Sequence, residues 1–192
     1  MTGMAVTLGI LAGGRATRLG GLDKAWLERD GKPQVLRVVQ RFAARVDRVL
    51  VSANTHEQRY RQHGLTVVSD SVKGIGPMGG LKALMAACET PWLLTIPVDV
   101  VDVNDCLLPT LLARAGAQGA WAIDDDGVQP LVALWRVDAA IRAIDEAIFR
   151  HRYGVHPLLE SLGMSAVELP GVRFGNLNSP ADLAAAHVEG PS

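Results

Sequence analysis

Apolar segments of strand length alternate with helical segments through residues 1–115, and this alternation limits the possible folds more than any other feature of the sequence. The segments Met4 to Leu11 and Trp92 to Pro97 are apolar over nearly their whole length. Continuous apolar runs indicate strands buried on both faces, and strands that alternate with helices pair in parallel. The sequence therefore predicts an α/β fold, a single three-layer domain around a mostly parallel, doubly wound, Rossmann-like sheet.

The individual elements follow from apolar spacing and from turn and cap residues. The sequence predicts strands over residues 4–11, 48–53, 65–69, 92–97, 120–124 and 131–135. It predicts helices over residues 33–46, 56–63, 81–88, 104–115, 137–149, 155–162 and 180–187. Residues 73–80 contain four glycines and a proline, so we expect a loop there. Asp125-Asp126-Gly127 predicts a hairpin turn between the last two strands.

Composition excludes several classes of protein. The chain has 192 residues, of which 48% are apolar, and is therefore long and apolar enough to bury a core. A net charge of −1 lacks the basic excess of a non-specific nucleic-acid binder. No run of about 18 apolar residues and no signal peptide is recognisable, so we expect a cytoplasmic protein without a membrane span. The two cysteines, Cys88 and Cys106, suit a reducing compartment, and no apolar helix face demands a partner, so we expect a monomer.

The loop after the first strand combines two glycine pairs, Gly13-Gly14 and Gly20-Gly21, with the basic residues Arg18 and Lys24. Glycines let a backbone approach a ligand closely, and its N–H groups can surround a polyphosphate together with a guanidinium and an ammonium. An ordinary surface loop with two solvated basic residues is the alternative. We favour the polyphosphate site, because ligands of open α/β sheets bind beyond the carboxyl ends of the strands.

Two common phosphate-binding motifs do not occur in this loop. It contains neither Gly-x-x-x-x-Gly-Lys-Ser/Thr nor Gly-x-Gly-x-x-Gly. The second strand ends in Asn54 rather than in the acidic residue that would hold a dinucleotide ribose. The pattern therefore disfavours a P-loop kinase and a dinucleotide-dependent dehydrogenase.

Asp99 follows the fourth predicted strand, where a carboxylate would project beyond the sheet. Mg²⁺ takes one or two carboxylates and completes its coordination with phosphates and water, so Asp99 is a candidate metal ligand. Capping of the next helix is the alternative role for Asp99, but Asn104 or Asp105 is better placed for it. Asp102 could add a second carboxylate.

Taken in order, these motifs resemble the nucleotidyltransferases of the molybdenum cofactor guanylyltransferase (MobA) family. The resemblance covers most of the chain and rests on Leu11-Ala12-Gly13-Gly14, Arg18-Leu19-Gly20-Gly21, Asp23-Lys24, Ser52-Ala53-Asn54, Asp70, Gly76-Pro77-Met78-Gly79-Gly80, Pro97-Val98-Asp99 and Asn176-Leu177-Asn178-Ser179-Pro180. It implies the nucleotide-diphospho-sugar transferase type of fold. It also implies transfer of GMP from GTP to the terminal phosphate of molybdopterin, giving molybdopterin guanine dinucleotide and pyrophosphate. Val100-Val101 stand where the family usually has Thr-Pro.

The resemblance also implies roles for single residues. Catalytic roles fall to Arg18, Lys24 and Asp99, with Asp99 holding Mg²⁺. The GTP site would comprise Leu11, Ala12, Gly13, Gly14, Lys24, Asn54, Asp70, Gly79 and Asp99, and the molybdopterin site would contain Asn176 and Asn178. Several of these assignments have local alternatives. Asn54 could cap a helix, Asp70 could be an ordinary turn residue, and the loop that carries Gly79 could be only a tight connection between a strand and a helix. The asparagine pair could serve the turn before the last helix.

The resemblance further implies a division of labour along the chain. We expect one nucleotidyltransferase domain over residues 1–188, followed by a tail at 189–192. Within the domain, residues 1–115 would bind the nucleotide and residues 116–188 would form the acceptor side. The partners would be GTP and molybdopterin as substrates, with transient contact to molybdoenzymes or their chaperones, and neither nucleic acid nor membrane.

The residues are consistent with this chemistry on physical grounds. A terminal phosphate is largely ionised at neutral pH, so the acceptor can act as the nucleophile without a general base. The protein must then position two anions and offset the charge at the transferring phosphorus. Two other functions remain open: a related nucleotidyltransferase that uses CTP or another NTP with a different phosphorylated acceptor, and a nucleotide-binding module without catalysis.

Several further features have mainly structural interpretations. His56 and His63 are expected on a solvated helix face, Asp124-Asp125-Asp126-Gly127 is expected to be a turn rather than a calcium site, and the tryptophans on strands are expected in the core (Trp92, Trp121 and Trp135). The segment from Arg150 to His156 has two readings. It could carry Arg150 and Arg152 toward a phosphate of the acceptor, or it could be a basic surface connection.

Overall fold

The computed structural model of the chain describes residues 4–13, 23–177, 180–185 and 188–189. The described strands are β1 (Val6–Leu11), β2 (Glu28–Arg29), β3 (Lys32–Pro33), β4 (Arg48–Ser52), β5 (Thr66–Val68), β6 (Trp92–Pro97), β7 (Gly119–Asp124), β8 (Gly127–Arg136), β9 (Ser165–Glu168) and β10 (Val188–Glu189). The described helices are α1 (Gln34–Phe42), α2 (Glu57–Gln62), α3 (Pro77–Ala87), α4 (Leu107–Arg114), α5 (Val137–Phe149), α6 (Val155–Ser161) and α7 (Pro180–Ala185), and a 3₁₀ turn spans Lys24–Trp26.

The predicted α/β fold class is confirmed. A seven-stranded sheet has the order β5-β4-β1-β6-β8-β7-β9, and β10-β2-β3 form a small second sheet. In the large sheet β8 is antiparallel to β6 and to β7, whereas the remaining neighbours pair in parallel. The antiparallel strand results from the predicted hairpin, because Asp124 pairs with Gly127 across a tight turn.

The register of the central strands brings their carboxyl ends together. Leu11, the last residue of β1, lies opposite Ser52 of β4 and opposite Pro97 of β6. Residues that directly follow these strands must therefore lie at one edge of the sheet, where open α/β sheets bind ligands.

Apolar residues fill both faces of the large sheet. On α1 the buried residues Val35, Val38 and Phe42 have helical spacing and pack toward the sheet. On the other face Trp135 is fully buried and donates its indole N–H to Thr95 Oγ1 over 2.8 Å. The expectation that the strand tryptophans belong to the core is confirmed, and no described helix has the length and apolarity to cross a membrane.

The loop predicted over residues 73–80 is shorter than expected, because α3 begins at Pro77. Proline is favourable at the first position of a helix, since it lacks only an N–H that has no helical partner there. Residues 74–79 read Gly-x-Gly-x-x-Gly, but they follow β5 rather than the central strand where a dinucleotide fingerprint lies. Tertiary packing overrides the low helix propensity of Gly79 and Gly80, both of which are buried.

The other differences between the predicted and the observed secondary structure concern short strands and the ends of elements. The edge strand β9 and the two-residue strands β2, β3 and β10 were not predicted. Glu189, expected in the tail, instead pairs with Glu28 through β10. The predicted helix from residue 104 begins at Leu107, and Asn104 accepts the N–H of Cys106 ahead of it over 3.0 Å.

Candidate active site

The chain leaves β1 between its two neighbouring strands. Ala12 donates its N–H to the carbonyl of Ser52 over 2.9 Å, and Val98 donates its N–H to the carbonyl of Leu11 over 3.0 Å. These two bonds continue the sheet pairing past the last residues of the strands. They fix Ala12 against β4 on one side and Leu11 against the residues after β6 on the other.

Asn54 and Asp70 form a reciprocal pair at the ends of β4 and β5. Asn54 Nδ2 donates to Asp70 Oδ2 over 2.9 Å, and the N–H of Asp70 donates to Asn54 Oδ1 over 3.0 Å. The buried hydroxyl of Ser52 donates to Asp70 Oδ1 over 3.3 Å. Helix α2 begins only at Glu57 and has no side-chain cap, so the alternative role of Asn54 as a helix cap is wrong.

Two glycines of α3 lie so close to Asp70 and Ser52 that a side chain on either would displace its neighbours. A Cβ on Gly79 would lie 2.8 Å from the carbonyl oxygen of Val72 and 3.0 Å from Asp70 Oδ2. A Cβ on Gly80 would lie 2.7 Å from Ser52 Oγ. The glycines therefore let the start of α3 lie directly against Asp70, beside the Asn54–Asp70 pair.

Lys24 and Asp99 form an ion pair at the same edge. Lys24 Nζ lies 2.9 Å from Asp99 Oδ2, and the two side chains are 21% and 23% exposed. Asp23 accepts the N–H of Ala25 over 3.0 Å and so caps the 3₁₀ turn that carries Lys24. Asn104, rather than Asp99, accepts the backbone N–H ahead of α4, so the alternative role of Asp99 as a helix cap is also wrong.

An aromatic cluster that the sequence analysis missed lies next to Lys24. Trp26, in the same 3₁₀ turn, is buried with its ring centroid 4.9 Å from that of Tyr60. The guanidinium of Arg59 lies 4.3 Å from the Trp26 ring, and the exposed His63 lies 5.3 Å from it. Burial, followed by the negative charge of Asp23, raises the pKa of Tyr60 well above its ordinary value. The apolar run Ala25-Trp26-Leu27 was the available signal that Lys24 is anchored to the core.

The loop after β6, residues 99–102, is fixed from beneath. The buried amide of Gln34 donates to the carbonyl of Val100 over 2.7 Å, and Arg29 donates to the carbonyl of Val101 over 3.3 Å. Asp102 is 70% exposed, and its carboxylate lies 3.6 Å from Arg29. Of the two acidic side chains in the loop, the structure thus pairs Asp99 with Lys24 and directs Asp102 toward Arg29.

A second segment, residues 174–177, lies antiparallel to this loop. The N–H groups of Val101 and Asp102 both donate to the carbonyl of Phe174, over 3.0 and 2.9 Å. Leu177 donates its N–H to the carbonyl of Asp99 over 3.0 Å, and Asn176 forms a β-bridge with Val100. The exposed Asn176 is therefore a near neighbour of Asp99 in space.

The donor chemistry at Asp99 fits a hard divalent cation. A carboxylate oxygen is the type of ligand that Mg²⁺ prefers, and Asp99 contacts the ammonium of Lys24 through its Oδ2 atom. Within the described ranges no group of three or more His, Cys, Asp or Glu side chains could hold a metal by itself. A metal at Asp99 would therefore need phosphate and water oxygens to complete its coordination.

The other predicted residues lie either outside the described part of the chain or away from these pairs. Gly14, Arg18 and Asn178 lie outside the described residues. His56 is exposed on the surface, as expected. In the basic segment, Arg150 pairs with Glu146 over 2.7 Å, and Arg152 is exposed. Residues 125–126 form a turn, in which Asp124 accepts the N–H of Asp126, and this confirms the turn interpretation.

Comparisons with known proteins agree with this architecture. The family model described as the MobA-like NTP transferase domain matches residues 8–165. The molybdenum cofactor guanylyltransferase of Yersinia pseudotuberculosis serotype O:1b is 33% identical over 177 residues, which cover 90% of each chain. The protein of the same name from Yersinia pestis strain Pestoides F has the same identity and coverage.

Solved structures share the fold at lower sequence identity. Molybdopterin-guanine dinucleotide biosynthesis protein A from Archaeoglobus fulgidus is 21% identical, with a TM-score of 0.71 over 94% of this chain and 96% of that one. The 2-C-methyl-D-erythritol 4-phosphate cytidylyltransferase from Thermus thermophilus is 17% identical, with a TM-score of 0.70 over 93% of this chain and 95% of that one. The family match and the identity to the Yersinia proteins extend over most of the sequence. The chain therefore belongs to the family of MobA-like NTP transferase domains.

Proposed function

We propose that this protein transfers GMP from GTP to the terminal phosphate of molybdopterin, forming molybdopterin guanine dinucleotide and releasing pyrophosphate. The observation that carries the proposal is the order of groups along one sheet edge. The Asn54–Asp70 pair comes first, the Lys24–Asp99 pair follows, and Asn176 lies beside the Asp99 loop. This order suits a nucleoside, its phosphates and an acceptor, and the relatives named molybdenum cofactor guanylyltransferase support the choice of substrates.

The nucleoside would lie against the ends of β1, β4 and β5. Asp70 has a carboxylate that can accept hydrogen bonds from a base or a ribose, and Asn54 and Ser52 hold it in place. The close approach of Gly79 leaves backbone rather than side chain at the wall of this site. Leu11, Ala12, Gly13 and Gly14 would contribute backbone groups to the same site.

The triphosphate would lie between Gly13 and Asp99. Lys24 and Arg18 would offset its negative charge, and Asp99 would hold Mg²⁺. When bound, Mg²⁺ would supply electrostatic stabilisation of the charge that develops on the transferring phosphoryl group. The ammonium of Lys24 holds the Asp99 carboxylate at the edge of the sheet, where both can face the phosphates.

The acceptor would bind beside Asn176 and Asn178. An oxygen of its terminal phosphate forms a bond to the α-phosphorus of GTP, and the bond from that phosphorus to the β-phosphate oxygen breaks. Pyrophosphate leaves with the electron pair. The attacking phosphate is already ionised at neutral pH, so the site needs positioning groups rather than a general base.

The wider properties of the protein follow from this proposal. Residues 1–115 would serve the nucleotide and residues 116–188 the acceptor, within one domain that acts as a monomer in the cytoplasm. The cysteines Cys88 and Cys106 are both unpaired, which suits a reducing compartment. The product would pass to molybdoenzymes or their chaperones through transient contact.

Thermal unfolding with Mg²⁺ and each of GTP, CTP, ATP and UTP tests the nucleotide. A ligand at 100 times its dissociation constant stabilises the folded state by about 2.7 kcal/mol, which a melting curve resolves. We expect the largest shift with GTP, and a weaker shift in Lys24→Ala. A larger shift with CTP would favour a cytidylyltransferase.

Incubation with GTP and molybdopterin then tests the transfer. Formation of the dinucleotide together with pyrophosphate is the expected result. Tight GTP binding without either product would favour the nucleotide-binding module and contradict the proposed reaction.

A further inference from the structure

The carboxylate of Asp124 is buried at the end of β7, and both of its oxygens accept hydrogen bonds. The residue is 6% exposed. Its Oδ1 accepts the N–H of Asp126 over 3.1 Å and the amide of Gln129 over 3.0 Å. Its Oδ2 accepts the N–H of Phe174 over 2.9 Å. Burial alone would raise the pKa of Asp124, but the hydrogen bonds from Phe174, Gln129 and Asp126 outweigh it and lower the pKa.

The bond to Phe174 connects the hairpin turn with the active-site edge. Phe174 is bonded to the turn through its N–H and to the Asp99 loop through its carbonyl, which accepts from Val101 and Asp102. Asn176 follows two residues later and bridges to Val100. A buried carboxylate thus fixes the segment that carries the proposed acceptor residue.

We propose that Asp124 is a positioning residue for the acceptor: it holds the segment 174–177 so that Asn176 faces the phosphorylated substrate. This inference rests on the proposed function, because it takes Asn176 as an acceptor contact. Its carboxylate is buried and accepts protein donors on both oxygens, so Asp124 would act through this segment and not on the substrate itself.

The Asp99 loop has supports that do not involve Asp124. Gln34 and Arg29 donate to the carbonyls of Val100 and Val101, and Val98 is bonded to Leu11. The segment 174–177 also bonds this loop, through Leu177 to Asp99 and through Phe174 to Val101 and Asp102. Because the bonds from Gln34, Arg29 and Val98 remain when the segment loosens, we expect Asp99 and Lys24 to keep their positions. The expected consequence is selective, with the KM for the acceptor changed and the affinity for GTP unchanged.

The neighbouring turn residue offers a matched control. Asp124→Asn must turn an NH₂ group toward a backbone or amide donor, because both carboxylate oxygens accept hydrogen bonds. Asp125 is exposed, and its side chain accepts only the N–H of Gly171 among described donors, over 3.1 Å. Asp125→Asn keeps that acceptor, so it removes the same charge from the same turn without breaking the contact.

The experiment compares wild type, Asp124→Asn and Asp125→Asn in GTP binding and in transfer to molybdopterin. For Asp124→Asn we expect a rise of about tenfold in the KM for the acceptor with unchanged GTP affinity, as expected when a buried donor loses its partner. Amide hydrogen exchange should increase at residues 171–177 in this variant alone. Asp125→Asn should match wild type in all three measurements.

Each result bears on one of the two proposals. The positioning role would be overturned if the two variants had equal KM values for the acceptor. It would also be overturned if Asp124→Asn lost affinity for GTP and for the acceptor equally. Absence of transfer in wild type would instead contradict the proposed function. Should Asp124→Asn fail to fold, Gln129→Ala removes one donor from the carboxylate. It should raise the acceptor KM by a smaller factor, and an unchanged KM would overturn the inference.

Discussion

The proposed nucleotide side and the proposed acceptor side of the candidate site are built in different ways. On the nucleotide side, the candidate residues follow parallel strands whose last residues are in register, as at Leu11, Ser52 and Pro97. On the acceptor side, residues 172–175 belong to no regular element. Their position depends on hydrogen bonds such as the one between Asp124 and Phe174, which are 50 residues apart in the chain. The first region is thus fixed by the sheet itself, and the second by a few contacts between loops.

The largest effect is expected at the contact between the two regions. Asp99→Asn removes the charge that Lys24 faces and the proposed metal ligand, so transfer should fall by at least about a hundredfold. Asp102→Asn changes the same loop, but its carboxylate is 70% exposed and faces Arg29. We expect that variant to stay within about threefold of wild type, since exposed ion pairs contribute little.

Steady-state rates of dinucleotide formation distinguish the two aspartates, with folding checked by melting curves. Equal losses in both variants would mean that Asp102 is a second ligand, and the loop would then act as one unit. Retention of the full rate in Asp99→Asn would contradict the assigned role of Asp99.

The close packing of the nucleotide side should make it intolerant of one additional methyl group. Gly79→Ala places a Cβ 2.8 Å from a backbone carbonyl that cannot move cheaply. We expect a loss of about 2 kcal/mol in the free energy of unfolding after the gain in helix propensity. The melting temperature would fall by about 4–8 °C.

Gly13→Ala is the control for this substitution. Its Cβ would meet the nearest atoms at 3.6 and 3.8 Å, which are ordinary contact distances. Thermal melts should show no loss of stability in Gly13→Ala. A fall equal to that of Gly79→Ala would mean that chain flexibility rather than close packing accounts for the glycines.

The fold could be predicted where long apolar segments exist. Strands such as β1 and β6 are apolar along their length, and the Asp125-Asp126-Gly127 turn indicated the hairpin. The edge strand β9 escaped prediction because only Val167 of its four residues is buried. The two-residue strands β2, β3 and β10 are too short to show an alternating pattern. The start of α3 was predicted too late in the chain, because the glycines indicated a loop and the packing that requires them is not visible in the sequence.

The site could be predicted in its parts but not in its connections. The position of Asn54, Asp70 and Asp99 after strands indicated one edge of the sheet. That Lys24 pairs with Asp99, 75 residues away, is a tertiary contact which local pattern does not encode. The same holds for the role of Asp124, whose partner Phe174 has no polar side chain and contributes only a backbone N–H.

Acid should weaken the acceptor side through Asp124. Burial opposes ionisation of this carboxyl, but its hydrogen bonds prevail and lower its pKa below the ordinary value of 3.8, so the ionised form is the one that stabilises the fold. The contribution is fully present above the pKa of the unfolded chain and is lost as pH falls through the lower pKa of the folded state. Asp124→Asn should therefore be less stable than wild type by about 1.5 kcal/mol near neutral pH.

Denaturant unfolding of both proteins over a pH series measures this difference. The two curves should converge in acid, once Asp124 is protonated in folded and unfolded chains alike. A difference that persists unchanged at the lowest pH would show that the side chain acts through shape and packing rather than through its charge.

The smallest effect is expected at Asp105, which lies between the Asp99 loop and α4 and pairs with two arginines at the surface. Arg41 and Arg45 both lie 3.1 Å from its carboxylate, and their hydrogen bonds lower the pKa of Asp105. The side chain is 52% exposed, so salt screens both pairs. Asp105→Asn should lower the melting temperature slightly in dilute buffer and leave it unchanged at about 1 M salt.

Gln34→Ala instead removes a buried donor from Val100, and its loss of stability should not depend on salt. Melting curves at both salt concentrations distinguish Asp105→Asn from Gln34→Ala. A loss of stability in Asp105→Asn that does not depend on salt would mean that surface contacts, together with the buried backbone bonds, fix the nucleotide side.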